Sequence, residues 1–138
     1  MTSIDVAREN MEAFNAGDWE RFKATLGDGV VYDEHATQRH LVGDGPIVDA
    51  LRSWREAFPD ATGRIERALA DNRTVALEIT WEGTHSGPLH TPSGDIAPSN
   101  RRISVKAAQV LDVENGKICE NHHYFDLMGF LQQIGAAG

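Results

Sequence analysis

Three polar residues near the end of the chain, Gln109, His122 and Asp126, are of the types that move a proton and hold the charge the move creates. Asp126 follows the run ending in Tyr124 and Phe125 and stands beside Val105 and Ala107 in the predicted pairing, where loss of water would suit a carboxyl group to proton shuttling. Its place just before Leu127 equally suits a helix cap, and both readings stand. Gln109 and His122 could hydrogen-bond a substrate carbonyl and the enolate that forms from it, or serve as ordinary sheet residues. The chain holds six histidines. His122 and His123 are adjacent on a predicted strand and face opposite ways, while His35 with His40 and His85 with His90 lack the spacing of a helical zinc motif, so linear spacing argues against a metal. His85 continues the parity of Trp81, which points it into the same cavity. Trp54, Phe58 and Trp81 could line an apolar pocket or simply pack the core. Gly43-Asp44-Gly45-Pro46 lacks the features of a phosphate loop, His85-Ser86 lacks a nucleophile elbow, and Cys119 has no cationic sequence neighbour.

These residues need a scaffold. Ile4, Ala7, Met11 and Phe14 recur at helical spacing, so residues 3 to 16 are predicted to form an amphipathic helix capped by Thr2 or Ser3 and ended by Gly17. Asp18 caps a second short helix through Trp19, Phe22 and Leu26, broken by Gly27-Asp28-Gly29. A short strand is expected from Val30 to His35, then a polar segment from 36 to 45, then a helix opened by Pro46 and carrying Ile47, Leu51, Trp54 and Phe58. From residue 63 onward the period becomes that of strands. Val75, Leu77, Ile79 and Trp81 alternate with polar partners, and residues 101 to 113 and 117 to 125 flank an Asn115-Gly116 turn. If that tight turn fixes an uninterrupted register, Gln109 faces His122, Val105 faces Asp126, and Gln109, His122, Tyr124 and Asp126 project from one face. Segment 86 to 100 reads as a long loop, a candidate lid. Leu127, Phe130, Leu131 and Ile134 suggest a closing helix. Helices first and a meandering sheet after predict an α+β fold in one domain spanning residues 1 to 138.

Composition narrows the partners. Thirteen Lys and Arg against 21 Asp and Glu give a net charge of −8, which repels nucleic acid and anionic lipid surfaces. An N-terminus bearing Asp5 and Glu9 lacks a signal-peptide pattern, no apolar run is long enough to span a membrane, and a single cysteine suits a reducing, cytoplasmic setting. The expected partner is a small molecule, with neither nucleic acid nor membrane.

The order of elements, with Ala57-Phe58-Pro59-Asp60, Trp81-Glu82-Gly83-Thr84-His85-Ser86-Gly87, Glu114-Asn115-Gly116-Lys117-Ile118, Asp126 and Gln133-Ile134-Gly135, resembles the SnoaL-like polyketide cyclase or ester cyclase family of the nuclear transport factor 2-like superfamily over nearly the whole chain. The resemblance implies a cone-shaped α+β domain with a curved mixed sheet wrapped around N-terminal helices, which usually pairs into homodimers or homotetramers. It implies an intramolecular aldol ring closure of a hydrophobic, carbonyl-containing substrate, or related lyase or isomerase chemistry, with no metal or organic cofactor. By resemblance Asp126 is the acid/base, with Gln109, His122 and His35 as orienting groups. Pro98-Ser99-Asn100-Arg101, after an extra stretch around His90 to Gly94, departs from the family pattern and leaves the substrate open. A non-catalytic binding or dimerisation module of the same fold, or an adapter, is the alternative.

Overall fold

The computed structural model describes residues 1–136. Helix α1 (Ser3–Ala16) begins at a capping box in which Thr2 accepts from the Asp5 amide and the Asp5 side chain accepts from the Thr2 amide. It ends where Gly17 turns left-handed at φ 67°. Asp18 caps α2 (Trp19–Ala24), and the two helices pack together as a hairpin. Strand β1 (Leu26–Glu34) starts earlier than expected. Gly27-Asp28-Gly29 does not break the chain but carries an irregular stretch of strand between Leu26 and Val31. His35 opens a 3-10 turn (His35–Thr37) rather than ending the strand, and the polar segment beyond it holds a short edge strand, β2 (Arg39–Val42).

Helix α3 (Asp44–Ala57) carries Ile47, Leu51 and Trp54 on its inner face. It is followed by β3 (Thr62–Asp71), β4 (Thr74–Thr84), the two small strands β5 (Leu89–Thr91) and β6 (Gly94–Ile96), then β7 (Arg102–Glu114), β8 (Lys117–Phe125) and α4 (Leu127–Gln133). The main sheet is ordered β2-β1-β8-β7-β4-β3, antiparallel except where β1 runs parallel to β8. The order of elements predicted this α+β arrangement and the resemblance its curved mixed sheet, with the helices against its inner face.

Two apolar clusters fill it. The larger joins α1 and α2 to Val30, Tyr32, Val75, Leu77, Ile79, Leu111 and Ile118; the smaller gathers Phe58, Leu89, Ile103, Val105, Phe130 and Ile134 at the other end. Segment 86 to 100 is not an unstructured lid. Its β5–β6 hairpin buries Leu89 in the smaller cluster, and the Ser86 and Gly87 amides both donate to the Ala57 carbonyl. The Gln133-Ile134-Gly135 motif is structural too. Beside Ser104 the β8 strand has already ended, and the Gln133 amide supplies both missing bonds, accepting from Ser104 N at 2.7 Å and donating to Ser104 O at 3.0 Å.

The decisive detail of the sheet is a bulge. Asn115 and Gly116 both take positive φ, as the tight turn requires, and Glu114 pairs Lys117 and Val113 pairs Ile118 as expected. Then Asp112 pairs Glu120, leaving Cys119 as an extra residue on β8. Beyond that point every partner is displaced by one. Gln109 therefore faces His123, not His122, and the face assigned to His122 and Tyr124 belongs to Asn121, His123 and Phe125.

Candidate functional site

The inner face of the sheet and the helices above it enclose a cavity of about 120 Å³, lined by Met11, Phe14, Phe22, Val30, Ile47, Leu51, Trp54, Phe58, Trp81, Val105, Phe125 and Phe130, among others. Its polar groups are few: Tyr32 and Glu34 from β1, Glu82 from β4, Asn121 and His123 from β8, Gln109 from β7 and Asn10 from α1. Alternation along β1 puts Val30, Tyr32 and Glu34 on one side, and the parallel register sets Tyr32 beside Asn121 and Glu34 beside His123.

Four of these side chains form one hydrogen-bonded chain. Trp81 Nε1 donates to His123 Nε2 at 3.1 Å, and an indole nitrogen can only donate, so Nε2 is the acceptor and the neutral ring carries its proton on Nδ1. His123 Nδ1 donates to the Tyr32 hydroxyl at 2.8 Å, and that hydroxyl donates to Glu34 Oε2 at 2.8 Å. Glu34 also accepts from Trp54 Nε1 at 3.1 Å and, at Oε1, from Thr37 Oγ1 at 2.6 Å, with Arg39 Nε 4.0 Å away. All its partners are donors, the set an ionised carboxylate satisfies, which explains how a carboxyl only 1% exposed is tolerated. Burial pushes the His123 pKa down to about 4 and lifts that of Tyr32 well above the ordinary phenol value, an effect the Glu34 charge reinforces. Asn121 Oδ1 is buried with no hydrogen-bond partner among the described residues.

The side chains named from sequence divide between this pocket and other places. Trp54, Phe58, Trp81 and Gln109 line the cavity. Asp126 does not. It is exposed, it caps α4 by accepting from Gly129 N at 2.9 Å, and the expectation of a desolvated acid over the pocket is corrected to the capping reading. His122, His35 and Tyr124 lie on the opposite face of the sheet, Tyr124 47% exposed, because the bulge at Cys119 shifts the parity of β8 and because His35 continues the outward phase of Asp33. His85 is fully buried, but stacked on Phe58 in the smaller cluster, where its Nδ1 accepts from Ser99 N at 3.1 Å; it does not line the cavity. Its burial lowers its pKa.

Sequence reasoning missed Tyr32, Glu34 and His123. The signal for the first two was present, a glutamate in phase with Val30 and Tyr32 on an otherwise apolar strand face. The signal for His123 was hidden by the bulge. The spacing argument against clustered histidines also fails, since parallel pairing of β1 with β8 brings Asp33, His35 and His122 together, with potential ligand atoms all within 4.8 Å of one another.

The comparisons with known proteins agree with this architecture. The chain is similar to a proposed SnoaL-like polyketide cyclase from Jannaschia sp. CCS1 (TM-score 0.86, 16% identity, covering 99% of this chain and 92% of that one). It is similar to IdmH, a proposed polyketide cyclase from Streptomyces antibioticus (0.84, 20%, 98% and 99%). A protein of ketosteroid isomerase-like fold from Catenulispora acidiphila, solved with trimethylamine, also matches (0.79, 17%, 94% and 92%). Among curated proteins none matches the chain. The family model for SnoaL-like polyketide cyclases matches residues 4–134, and the chain belongs to that family.

Proposed function

We propose that the protein is an acid/base catalyst of the cyclase type, acting on a small apolar molecule that carries a 1,3-dicarbonyl unit and one further carbonyl, and closing it by an intramolecular aldol step. The observation that carries this reading is the buried chain Trp81–His123–Tyr32–Glu34 in an otherwise apolar cavity. Such a chain can take a proton without leaving a cation behind. His123 Nε2 accepts the proton from the carbon between the carbonyls, Nδ1 gives its own to Tyr32 Oη, and Tyr32 gives its hydroxyl proton to Glu34 Oε2. The net change is a neutral glutamic acid and an enolate, with the imidazole in its other tautomer. The Trp81 bond to Nε2 is longer than the two links that follow, and Trp81 must yield that nitrogen to the substrate. Gln109, opposite His123 in the sheet, is available to hydrogen-bond the enolate oxygen. The enolate carbon bonds to the carbon of the further carbonyl, whose C=O π bond opens to an alkoxide, and return of the proton through the same chain to that oxygen completes the aldol product. The enolate stays bound beside this carbonyl, and that proximity adds to the rate.

The cavity favours a small substrate. A hydrocarbon-lined space of about 150 Å³ accepts one benzene ring, so about 120 Å³ holds roughly one ring, with further atoms at the mouth.

The test uses an aryl 1,3-diketone in deuterated water, with exchange of the carbon-bound protons followed by NMR. The wild-type protein is expected to accelerate exchange, with Glu34→Gln and Tyr32→Phe each slowing it about 10²-fold or more. A protein that binds the diketone without accelerating exchange would leave only the binding-module reading, and a Glu34→Gln variant as fast as the parent would overturn the role of the Trp81–His123–Tyr32–Glu34 chain.

A further inference from the structure

The outer face of β1 and β8, opposite the pocket, carries a second cluster that the proposed chemistry does not use. Asp33 and His122 are direct partners in the parallel register, and His35 follows at the start of the 3-10 turn. His35 Nε2 and His122 Nδ1 lie 2.9 Å apart, and His122 Nδ1 lies 3.7 Å from Asp33 Oδ2. Tetrahedral zinc with ligand bonds near 2.0 Å needs ligand atoms about 3.3 Å apart, between these two distances. These two separations each need a change of a few tenths of an ångström, and the His35–Asp33 separation, within 4.8 Å, closes by a pivot of one ring.

The supporting groups are those a metal centre requires. Glu120 Oε1 accepts from His122 Nε2 at 2.6 Å, which leaves the Nδ1 lone pair directed at the cluster. His40 Nδ1 holds Asp33 Oδ1 at 2.5 Å, leaving Oδ2 for the cluster. Tyr124 lies parallel to the His35 ring, with centroids 4.6 Å apart and an interplanar angle of 10°. Each of the three candidate ligands is thus oriented by a neighbour on its far side.

We propose that Asp33, His35 and His122 bind one divalent transition-metal ion of the zinc type, with Glu120, His40 and Tyr124 as the groups that position the ligands. Two imidazoles and one carboxylate suit such an ion, and the remaining position is open to water. The ion would tie β1 to β8, the two strands whose inner faces carry Tyr32, Glu34 and His123.

The experiment is calorimetric titration of tag-free, chelator-treated protein with zinc, with cobalt as a spectroscopic substitute. The result expected is one-to-one saturation in the micromolar range or tighter, and a visible cobalt spectrum of low coordination number. His35→Ala and His122→Ala, both of outer-face side chains, should each abolish saturation, and Glu120→Gln should weaken it about 10- to 100-fold while every ligand remains. His90→Ala, which removes an exposed histidine paired with Asp95 and Glu56 elsewhere on the surface, should change nothing. Failure to saturate in the micromolar range, affinity unchanged by His122→Ala, or affinity lost in His90→Ala would each overturn the proposal. Diketone exchange in the pocket is read separately and does not depend on this outcome.

Discussion

At the scale of single residues, the two carboxylates Glu34 and Asp126 show how burial assigns chemistry. Asp126 is an exposed cap, and its worth is that of a helix N-terminus. Asp126→Ala should lower stability by about 0.5–2 kcal/mol in urea unfolding and leave diketone exchange unchanged, whereas Asp126→Asn, which caps equally well, should change neither stability nor exchange. Glu34 is the opposite case. Removing its charge leaves Tyr32, Trp54 and Thr37 to find other acceptors in a closed space, so Glu34→Ala should be more destabilising than Glu34→Gln as well as inactive in exchange. The types and spacing of Asp126 and His122 were legible in the sequence as proton-handling groups. Which of the polar residues loses its water was not, because that depends on what covers it.

At the scale of elements, one extra residue decides which histidine is inside. Tight-turn chemistry at Asn115-Gly116 correctly fixes the first two pairs of β7 and β8, and the bulge at Cys119 then moves His123 inward and His122 outward. Nothing in the alternation of Ile118, Cys119, Glu120 and Asn121 announces it, since a strand read alone carries no record of its partner's spacing. The pocket wall shows a second dependence on the partner strand. Gly63 of β3 pairs Trp81 of β4, and a methyl group at Gly63 would meet Trp81 Cζ3 at 2.6 Å and Met11 Sδ at 2.5 Å. Gly63→Ala should therefore cost about 1–3 kcal/mol and, by pushing the indole that donates to His123, slow exchange in the same assay. A variant with parental melting and exchange would show that the ring moves freely.

At the scale of the whole molecule, the buried histidines tie stability to pH. His123 and His85 are neutral in the folded chain and titrate near 6.5 once unfolded, so the unfolded state binds more protons as pH falls. Their contribution is fully present above about pH 6.5 and is lost progressively below it. For His123 the loss continues to about pH 4 and totals roughly 3 kcal/mol at about 1.4 kcal/mol per pKa unit. Urea midpoints measured at pH 7.5, 6 and 5 should fall in that order, and His123→Phe should flatten the trend; a midpoint independent of pH over this interval would contradict the burial of both rings. Among the described residues no helix is long and apolar enough to cross a membrane.

The sequence by itself determined the family, the α+β order and the places of α1, α2, α3, β4, the β7–β8 hairpin and α4, because helix caps, apolar periods and turn residues act over a few neighbouring positions. It also supplied the aromatic residues of the pocket wall. Only the tertiary structure decided that Tyr32, Glu34 and His123 form the polar chain, and that Asp33, His35 and His122 meet on the opposite face. The physical reason is that both clusters arise from the parallel pairing of β1 with β8, strands far apart in the chain, and from a one-residue bulge whose effect is to exchange the two faces of a strand.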